Sequence, residues 1–288
     1  MARTKALSLL QATNTKADLA EIYGIVIEGV QKETLSGALK SQQYTGNPAA
    51  GSVEFRRFVN SGSNTYGTAR TAGKGDAIMA PPVTVNLNQH KEIVEECTQF
   101  DLETFGIANI MARRAANHID TMATDLDIAF FAAAGTAATE VTTTATTEAD
   151  KLEEAIVTLE TVKNDYVKGV PRNMMAAVVT PAYYSKIRTT LDSLPAHNVD
   201  TAAEEFAMYH GVKVYSGLNL PSGIDVLLMT VGAVAQPVIA HPYGEPEKIP
   251  LSEDFASALF YHYGTQALTP DLIFKINTPA APIPTPGG

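Results

Sequence analysis

The chain of 288 residues contains one cysteine, Cys97, and no tryptophan. A single thiol can neither close a disulfide within the chain nor build a cysteine-ligated metal cluster, so both kinds of stabilised fold are excluded. Cys97 lies in a segment of strand-like composition, and a free cysteine in such a segment is usually buried. The sequence therefore predicts a structural thiol.

Basic residues are in short supply. The chain has 21 Lys and Arg against 31 Asp and Glu, which gives a net charge of -10. This balance keeps copies dispersed at low concentration and weakens binding to a phosphate backbone. A dedicated nucleic-acid-binding protein is therefore disfavoured.

Long apolar runs are also missing. No stretch approaches the roughly 18 apolar residues that span a bilayer, and the N-terminal apolar patch at Ala6 to Leu10 is too short for a signal peptide. We expect no membrane partner and a protein that is made and assembled in the cytosol. With 45% hydrophobic residues, the chain can bury one large core or two intertwined ones.

Catalytic motifs are scarce. The segment from Gly67 to Lys74 (GTARTAGK) superficially resembles a phosphate-binding loop, but its glycine spacing is wrong and Gly75 replaces the Ser or Thr that binds magnesium. No HExxH, GxSxG or GxGxxG motif occurs, and the six histidines are scattered without metal-ligand spacing on one helix. The sequence predicts no catalytic residue, no cofactor and no metal site.

The most informative feature is a change of periodicity at Gly106. The run from Val83 to Phe105 is β-like, whereas from Ile107 to Ala134 apolar residues recur at steps of three or four, which predicts a helix about 28 residues long. Such a helix extends for roughly 40 Å, more like a spine than an ordinary core element. Its predicted apolar stripe consists of Ile107, Met111, Ala115, Ile119, Met122, Leu126 and Phe130.

The region before this join divides in two. Residues 17 to 40 have helical spacing, weakened by Gly24 and Gly29. From Tyr44 to Pro82, turn clusters and glycine-, serine- and threonine-rich sequence predict a two-stranded excursion with a polar tip. The excursion has too little apolar content for a core of its own, so it must rest on another part of the structure or on a partner.

The region after the spine predicts an α+β domain with a central sheet, from about residue 140 to 245. Gly135 to Thr147 is interpreted as a surface linker, and Ala256 to Phe274 as two strands that return to the spine. The proline-rich tail after Asn277 is expected not to pack. The other predicted elements are helices at Asp150–Val167 and from Pro181, and strands at Met174–Thr180, Val212–Ser216, Val226–Thr230 and Gln236–Ala240.

Charged and aromatic residues complete the inventory. An acidic run (Glu92, Glu95, Glu96, Asp101 and Glu103) is interpreted as a solvated face or as one side of charge pairs with a neighbouring copy, because its spacing matches no metal-binding loop. The opposite partners are Arg56, Arg57, Arg113 and Arg114. The predicted core aromatics are Phe130, Phe131, Phe260, Tyr261 and Tyr263.

Taken in order, these segments resemble the major capsid proteins of tailed bacteriophages with the HK97-type fold. The resemblance rests on the polar excursion, then VTVNLNQHKEIVEECTQFDLETFG, then the long helix ending in IDTMATDLDIAFFAAAGT, then the compact α+β region. It covers residues 44 to 277, about 240 in all, and depends on the order of elements, since each motif alone is weak.

The resemblance implies an α+β HK97-like capsid fold. Residues 1–43 are expected to form the N-terminal arm and 44–82 the extended loop. Residues 83–148 and 245–277 are expected to form the peripheral domain with its spine helix at 107–134. Residues 149–244 are expected to form the axial domain, and 278–288 a disordered tail.

The implied function is a structural one: many copies form pentamers and hexamers of an icosahedral head, assembled in the host cytoplasm, that encloses double-stranded DNA through weak non-specific contact. A portal and a separate scaffolding protein are the expected partners. Lys74 lies in the extended loop, but no acceptor is identifiable, so covalent cross-linking is not predicted. The candidate subunit contacts are Arg56, Arg57, Arg70, Lys74, Glu95, Glu96, Arg113 and Arg114.

Three alternatives stay open at this point. An encapsulin-like nanocompartment shell keeps the fold and changes the cargo. An enzyme with a metal site in the acidic run from Glu92 to Glu103 and a binding module of the tail or adhesion type belong to other classes.

Overall fold

Six helices and fourteen strands make up the described part of the chain. The computed structural model describes residues 2–63, 65–67, 77–192, 208–244 and 247–278, without the side chains of 2–16, 102 and 192. The helices are α1 (Ala2–Glu33), α2 (Leu35–Leu39), α3 (Gln99–Phe105), α4 (Ile107–Ala137), α5 (Glu148–Glu160) and α6 (Pro181–Asp192). The strands are β1 (Ser52–Arg56), β2 (Pro82–Asn86), β3 (Gln89–Cys97), β4 (Thr139–Glu140), β5 (Met175–Val179), β6 (Met208–Tyr209), β7 (Val212–Ser216), β8 (Ile224–Thr230), β9 (Val234–Ala235), β10 (Val238–His241), β11 (Glu247–Lys248), β12 (Phe255–Tyr263), β13 (Gln266–Ala267) and β14 (Ile273–Asn277).

Helix α4 confirms the predicted spine. It runs unbroken for 31 residues from Ile107 to Ala137 and therefore spans about 46 Å. Six of the seven residues of the predicted stripe are buried, and the seventh, Ile119, is partly buried. The long period of apolar residues thus forms one continuous buried face.

The predicted β-like run before the spine is wrong at its C-terminal end. Residues 99–105 form helix α3, because Thr98 caps it: the Asp101 amide donates to Thr98 Oγ1 at 3.2 Å, and the Thr98 hydroxyl donates to the Asp101 carboxylate at 2.7 Å. The capping pattern Thr-x-x-Asp was present in the sequence. The apolar residues that flank it concealed the change to helical structure.

A six-stranded central sheet has the order β4-β14-β8-β5-β7-β6. Strand β5 is buried at every residue, as its apolar run predicts, and it pairs in parallel with β7 and antiparallel with β8. Helices α5 and α6 cover one face of this sheet, and the C-terminal part of α4 covers the other through Phe130, Phe131 and Ala134.

A second sheet, formed by β3, β10, β11 and β12 and called the spine sheet, lies along the N-terminal part of α4. Strand β12 pairs antiparallel with β3 over nine residues and with β10 and β11 on its other side. Its buried face packs with α1 and α4 in one core, to which Tyr261 and Tyr263 contribute. Cys97 is buried in this core as predicted. Gly29 permits close packing, since a Cβ there would lie 2.5 Å from Ile119 Cδ1 of α4.

Several expectations need correction. Only β12 of the two late strands returns to the spine, because β14 pairs with β8 and β4 in the central sheet. The segment interpreted as a linker contains the end of α4 and β4. Phe260 is 40% exposed, since it alternates with the buried Leu259 and Tyr261 along β12. Residues 17–40 divide into α1, which begins at Ala2, and α2.

The excursion is two-stranded at its base, where β1 pairs antiparallel with β2. Its second strand, Pro82–Asn86, extends past the boundary predicted at residue 82. Val53, Phe55 and Val85 form a small core with Ala235. Most of the predicted tail, residues 279–288, lies outside the described residues.

The junction at Gly106 yields a stability prediction. Its φ of 74° and ψ of 146° lie close to a region that is essentially restricted to glycine. No atom lies within 4 Å of a Cβ built there, so Gly106→Ala adds backbone strain without a clash. We expect it to lower the free energy of unfolding by roughly 1–3 kcal/mol in urea titrations.

Gly24→Ala is the matched control. Gly24 lies within α1, and a Cβ there also meets no atom within 4 Å. Alanine in a helix interior is favoured over glycine by roughly 0.5–1 kcal/mol, so this variant should be more stable than the wild type. Equal effects of the two substitutions would contradict the assignment of strain to Gly106.

Candidate functional site

The excursion continues between β1 and β2, where the structure describes residues 57–63, 65–67 and 77–81. Arg57 fixes its base: Nη1 and Nη2 donate to the two carboxylate oxygens of Asp271 at 2.6 and 2.8 Å. The guanidinium carbon lies 4.2 Å from the centre of the Tyr166 ring. A planar bidentate pair that is also stacked fixes both the position and the orientation of Arg57.

Further bonds tie the same base to the turn after α5. The Asn60 amide donates to the Asp165 carbonyl at 2.8 Å, and Asn164 Nδ2 donates to the Asp271 carboxylate at 2.5 Å. Burial raises the pKa of Asp271, but hydrogen bonds from Arg57 and Asn164 and the charge of Arg57 outweigh burial and hold this pKa below its ordinary value. Asp271 is therefore a charged anchor that holds the excursion against the body of the chain.

Beyond its base the excursion exposes large apolar side chains. Phe58, Ile78 and Met79 are 63%, 89% and 60% exposed, and Tyr66 is 89% exposed. An isolated exposed apolar residue needs no explanation, but several on one segment are uncommon at a protein surface. Within the described residues, the one ion pair of Arg56 is with the nearby Glu54, at 2.8 Å.

Of the four predicted contact residues on α4 and the neighbouring β3, two form an ion pair within the chain and two are left exposed. Glu95 accepts a hydrogen bond from Arg114 Nε at 2.6 Å, and its other carboxylate oxygen lies 3.3 Å from His118 Nε2. His118 is buried, and its Nδ1 lies 2.6 Å from the Tyr243 hydroxyl. Burial and the charge of Glu95 raise the pKa of Tyr243 to about 12, so this hydroxyl stays protonated. Glu95 and Arg114 are thus paired within one chain.

Glu96, on β3, and Arg113, on α4, remain exposed. They line a depression of about 300 Å³, called the spine groove. The Arg113 guanidinium lies 5.8 Å from the centre of the Phe105 ring, and Phe105 is half exposed. The other residues that line the spine groove are Cys97, Asp101, Asn109, Ile110 and Arg114.

Two sequence-predicted contacts, Arg70 and Lys74, lie outside the described residues, as does most of the phosphate-loop-like segment. The acidic run does not converge on one point. Glu95 points towards α4, Asp101 takes part in the cap of α3, and Glu103 accepts from Gln99 at 2.9 Å. Among the described residues, no group of three or more His, Cys, Asp or Glu is arranged to hold a metal ion.

The sequence did not predict a set of hydrogen bonds that join α4 to neighbouring elements. Asp127 is buried and accepts hydrogen bonds from the Leu35 and Ser36 amides at 3.2 and 2.9 Å, which caps the N-terminus of α2. Asp125 accepts from the Tyr261 hydroxyl at 2.6 Å. The signal for Asp127 was its position three and four residues before Phe130 and Phe131, which places it on the buried face.

Comparisons in sequence and in structure give different results. No protein-family model matches the chain, and no curated protein matches it in sequence.

Within the described helices, none is long and apolar enough to cross a membrane.

Solved structures of phage particles are similar to the chain in fold. A structure from Mycobacterium phage Che8 matches with a TM-score of 0.59 and 17% identity, over 83% of this chain and 93% of that one. The capsid of Cyanophage P-SCSP1u matches with a TM-score of 0.61 and 14% identity, over 85% and 88%. The capsid of an empty GTA particle matches with a TM-score of 0.58 and 12% identity, over 84% and 88%. The chain therefore has the mixed α and β fold of phage capsid proteins.

The anchor at Asp271 yields a pH prediction. The folded-state pKa of Asp271 is lower than the ordinary 3.8, so its charge stabilises the fold above about pH 4, and this contribution is lost as the pH falls through the folded-state value. Asp271→Asn should cost about 1–2 kcal/mol near pH 7, the lower range for a charged hydrogen bond because both side chains are partly exposed.

The measurement is the difference in unfolding free energy between the wild type and Asp271→Asn, from urea titrations between pH 7 and 3. It should shrink below about pH 4. The same substitution in an Arg57→Ala background is the control and should cost less, since the partner is gone. A cost that does not depend on pH or on Arg57 would refute the anchor.

Proposed function

We propose that this chain is the major capsid protein of a tailed bacteriophage and that many copies assemble into an icosahedral head. The observation that carries the proposal is the similarity of fold to phage capsid structures over more than four fifths of the chain. The exposed apolar residues of the excursion support it, because a segment of this kind is stabilised when neighbouring copies cover it. The function is structural and involves no catalysis.

The proposed domains follow the HK97-type arrangement. Residues 1–43 form the N-terminal arm, 44–82 the extended loop, and 83–148 with 245–277 the peripheral domain around α4. Residues 149–244 form the axial domain, and 278–288 the tail. One adjustment follows from strand pairing: β4 and β14 belong with the axial domain, since both are hydrogen-bonded strands of the central sheet.

The proposed contacts between copies use weak interactions repeated many times. The exposed apolar residues of the excursion dock on a neighbouring copy, and the exposed charges Arg56, Glu96 and Arg113 contribute at the rim. Heterologous contacts that close into rings give the pentamers and hexamers of an icosahedral shell. Arg70 and Lys74 of the extended loop belong to this proposed set.

Three of the predicted contact residues act indirectly in this proposal. Arg57, Glu95 and Arg114 are paired within the chain, so they hold the excursion and the spine in place for contacts made by other residues. An ion pair that is already made within one chain gains little by exchanging its partner for a neighbour's charge.

The proposed cargo is double-stranded DNA. The net charge of -10 limits attraction between the wall and a phosphate backbone, so DNA is enclosed with only weak non-specific contact. A portal and a separate scaffolding protein are the proposed partners, and assembly takes place in the host cytoplasm. The similarity of fold to phage capsid structures does not favour the encapsulin-like alternative.

Assembly itself is the first test. We expect the purified full-length protein to form closed shells or rings of five and six subunits, observed by negative-stain electron microscopy and by light scattering over a range of salt and protein concentrations. A protein that stays monomeric under every condition would overturn the proposal. Tubes or fibres would point instead to a tail or adhesion module.

The excursion is the second test. Ile78→Asp and Met79→Asp place a charge on strongly exposed positions of the excursion, so the isolated subunit should keep its fold and stability. A charge in an apolar contact between copies is costly, and we expect assembly to fall at least tenfold by light scattering.

Leu251→Asp is the matched control, because Leu251 is a fully exposed leucine outside the excursion. Its φ of 65° is one that Asp adopts more easily than Leu, so the substitution should not harm the fold. Normal assembly of the Ile78 and Met79 variants would show that the excursion does not make the contact, even if wild-type shells form.

A further inference from the structure

Three histidines that are far apart in the sequence meet on the open face of the spine sheet. His90 of β3 and His262 of β12 lie with their Nδ1 atoms 3.0 Å apart. The ring of His241, on β10, lies 5.2 Å from the ring of His262, centre to centre. No local sequence pattern indicates this group, because 172 residues separate His90 from His262.

The strand register explains the meeting. His262 pairs directly with His90 across the antiparallel β3–β12 ladder, and β10 flanks β12 on the other side. The even-numbered residues of β12 face away from α4, because the odd-numbered residues Leu259, Tyr261 and Tyr263 are buried in the core. The histidines are therefore open to solvent on the outer face, with His90 and His241 exposed.

The distance between the nitrogens restricts the protonation of the pair. Two ring nitrogens 3.0 Å apart cannot both carry a proton directed at the other, so one Nδ1 donates and the other presents its lone pair.

We propose that His90 and His262 together bind a divalent transition-metal ion, with copper or nickel preferred. Imidazole nitrogens lie about 2.0–2.1 Å from such a metal. Two of them at a right angle are then about 2.9 Å apart, whereas a tetrahedral angle places them about 3.4 Å apart. The observed 3.0 Å is the spacing of the hydrogen-bonded pair without metal and lies within a few tenths of an ångström of both values, so a bound ion takes the place of the shared proton. The preference for copper and nickel rests on the high affinity of these ions for imidazole nitrogens.

Negative charge near the two histidines favours a cation, and the small number of protein ligands limits the affinity. Glu92 lies two residues from His90 on the same strand face and contributes negative charge near the pair. Since no third described side chain has metal-ligand geometry, water completes the coordination. Binding should therefore be weaker than at a structural site with four protein ligands. A metal held by both strands would clamp β3 to β12 and stabilise the folded state.

The test is titration of the full-length protein with Cu²⁺ and Ni²⁺ by isothermal calorimetry near pH 7.5. We expect one saturable ion per chain, and at least a tenfold loss of affinity in both His90→Thr and His262→Thr. Threonine suits an exposed strand position, so these variants should keep the wild-type circular dichroism spectrum. His210→Asn is the control, because His210 pairs with Glu153 elsewhere and its φ of 46° is tolerated by Asn.

Histidine-detected NMR gives an independent readout that needs no variant. Substoichiometric Cu²⁺ should broaden the imidazole signals of His90 and His262 first, and those of His210 last. Unchanged affinity in the two threonine variants, or first broadening at histidines outside this sheet, would overturn the proposal. Neither measurement depends on shell assembly, so failure here leaves the proposed function untouched.

Discussion

The rest of the structure depends on the continuity of α4 through two separate cores. Its N-terminal part packs with α1 and the spine sheet, and its C-terminal part packs under the central sheet. Phe130 and Phe131 are fully buried at the second contact, where each contributes roughly 1.5–3 kcal/mol by burial. Because one rod carries both sheets, any kink within it would change the angle between them. The chain changes direction at Gly106, immediately before α4 begins.

Polar groups fix how the neighbouring elements meet this rod. Apolar packing alone tolerates small shifts, whereas a hydrogen bond to a buried group has one acceptable geometry. Asp127 holds α2, Asp125 holds β12 through Tyr261, and His118 links the helix to Tyr243 and Glu95. These bonds are spread along α4. They therefore fix where along the helix each neighbouring element packs, in addition to holding it against the helix.

The parts of the structure that could be predicted from sequence are those with a local signal. The stripe of α4, the fully apolar β5 and Pro181 at the start of α6 each carry their signal within a few residues. The sequence places β14 in the wrong sheet because pairing partners are non-local. The apolar sequence of β14 fits either sheet, and its pairing with β8 and β4 decides between them. The same reason hid Asp271 as the partner of Arg57, 214 residues away. Residue type predicted which side chains were charged, but not which of them would pair within the chain.

The pairing of charges within the chain limits what charge pairs can contribute to the proposed assembly. Arg57, Glu95 and Arg114 have partners within the chain, and an exchange of partners between copies would expose one charge for each that it satisfied. The charges left at the surface, such as Glu96 and Arg113, are solvated, and exposed pairs of this kind contribute about 1 kcal/mol or less. In the proposed assembly, attraction between copies comes mainly from apolar area, which the exposed apolar residues of the excursion supply while Arg57 holds its base. In that proposal the contacts are individually weak but fixed in direction, and weak directional contacts allow errors to dissociate before a closed shell is complete.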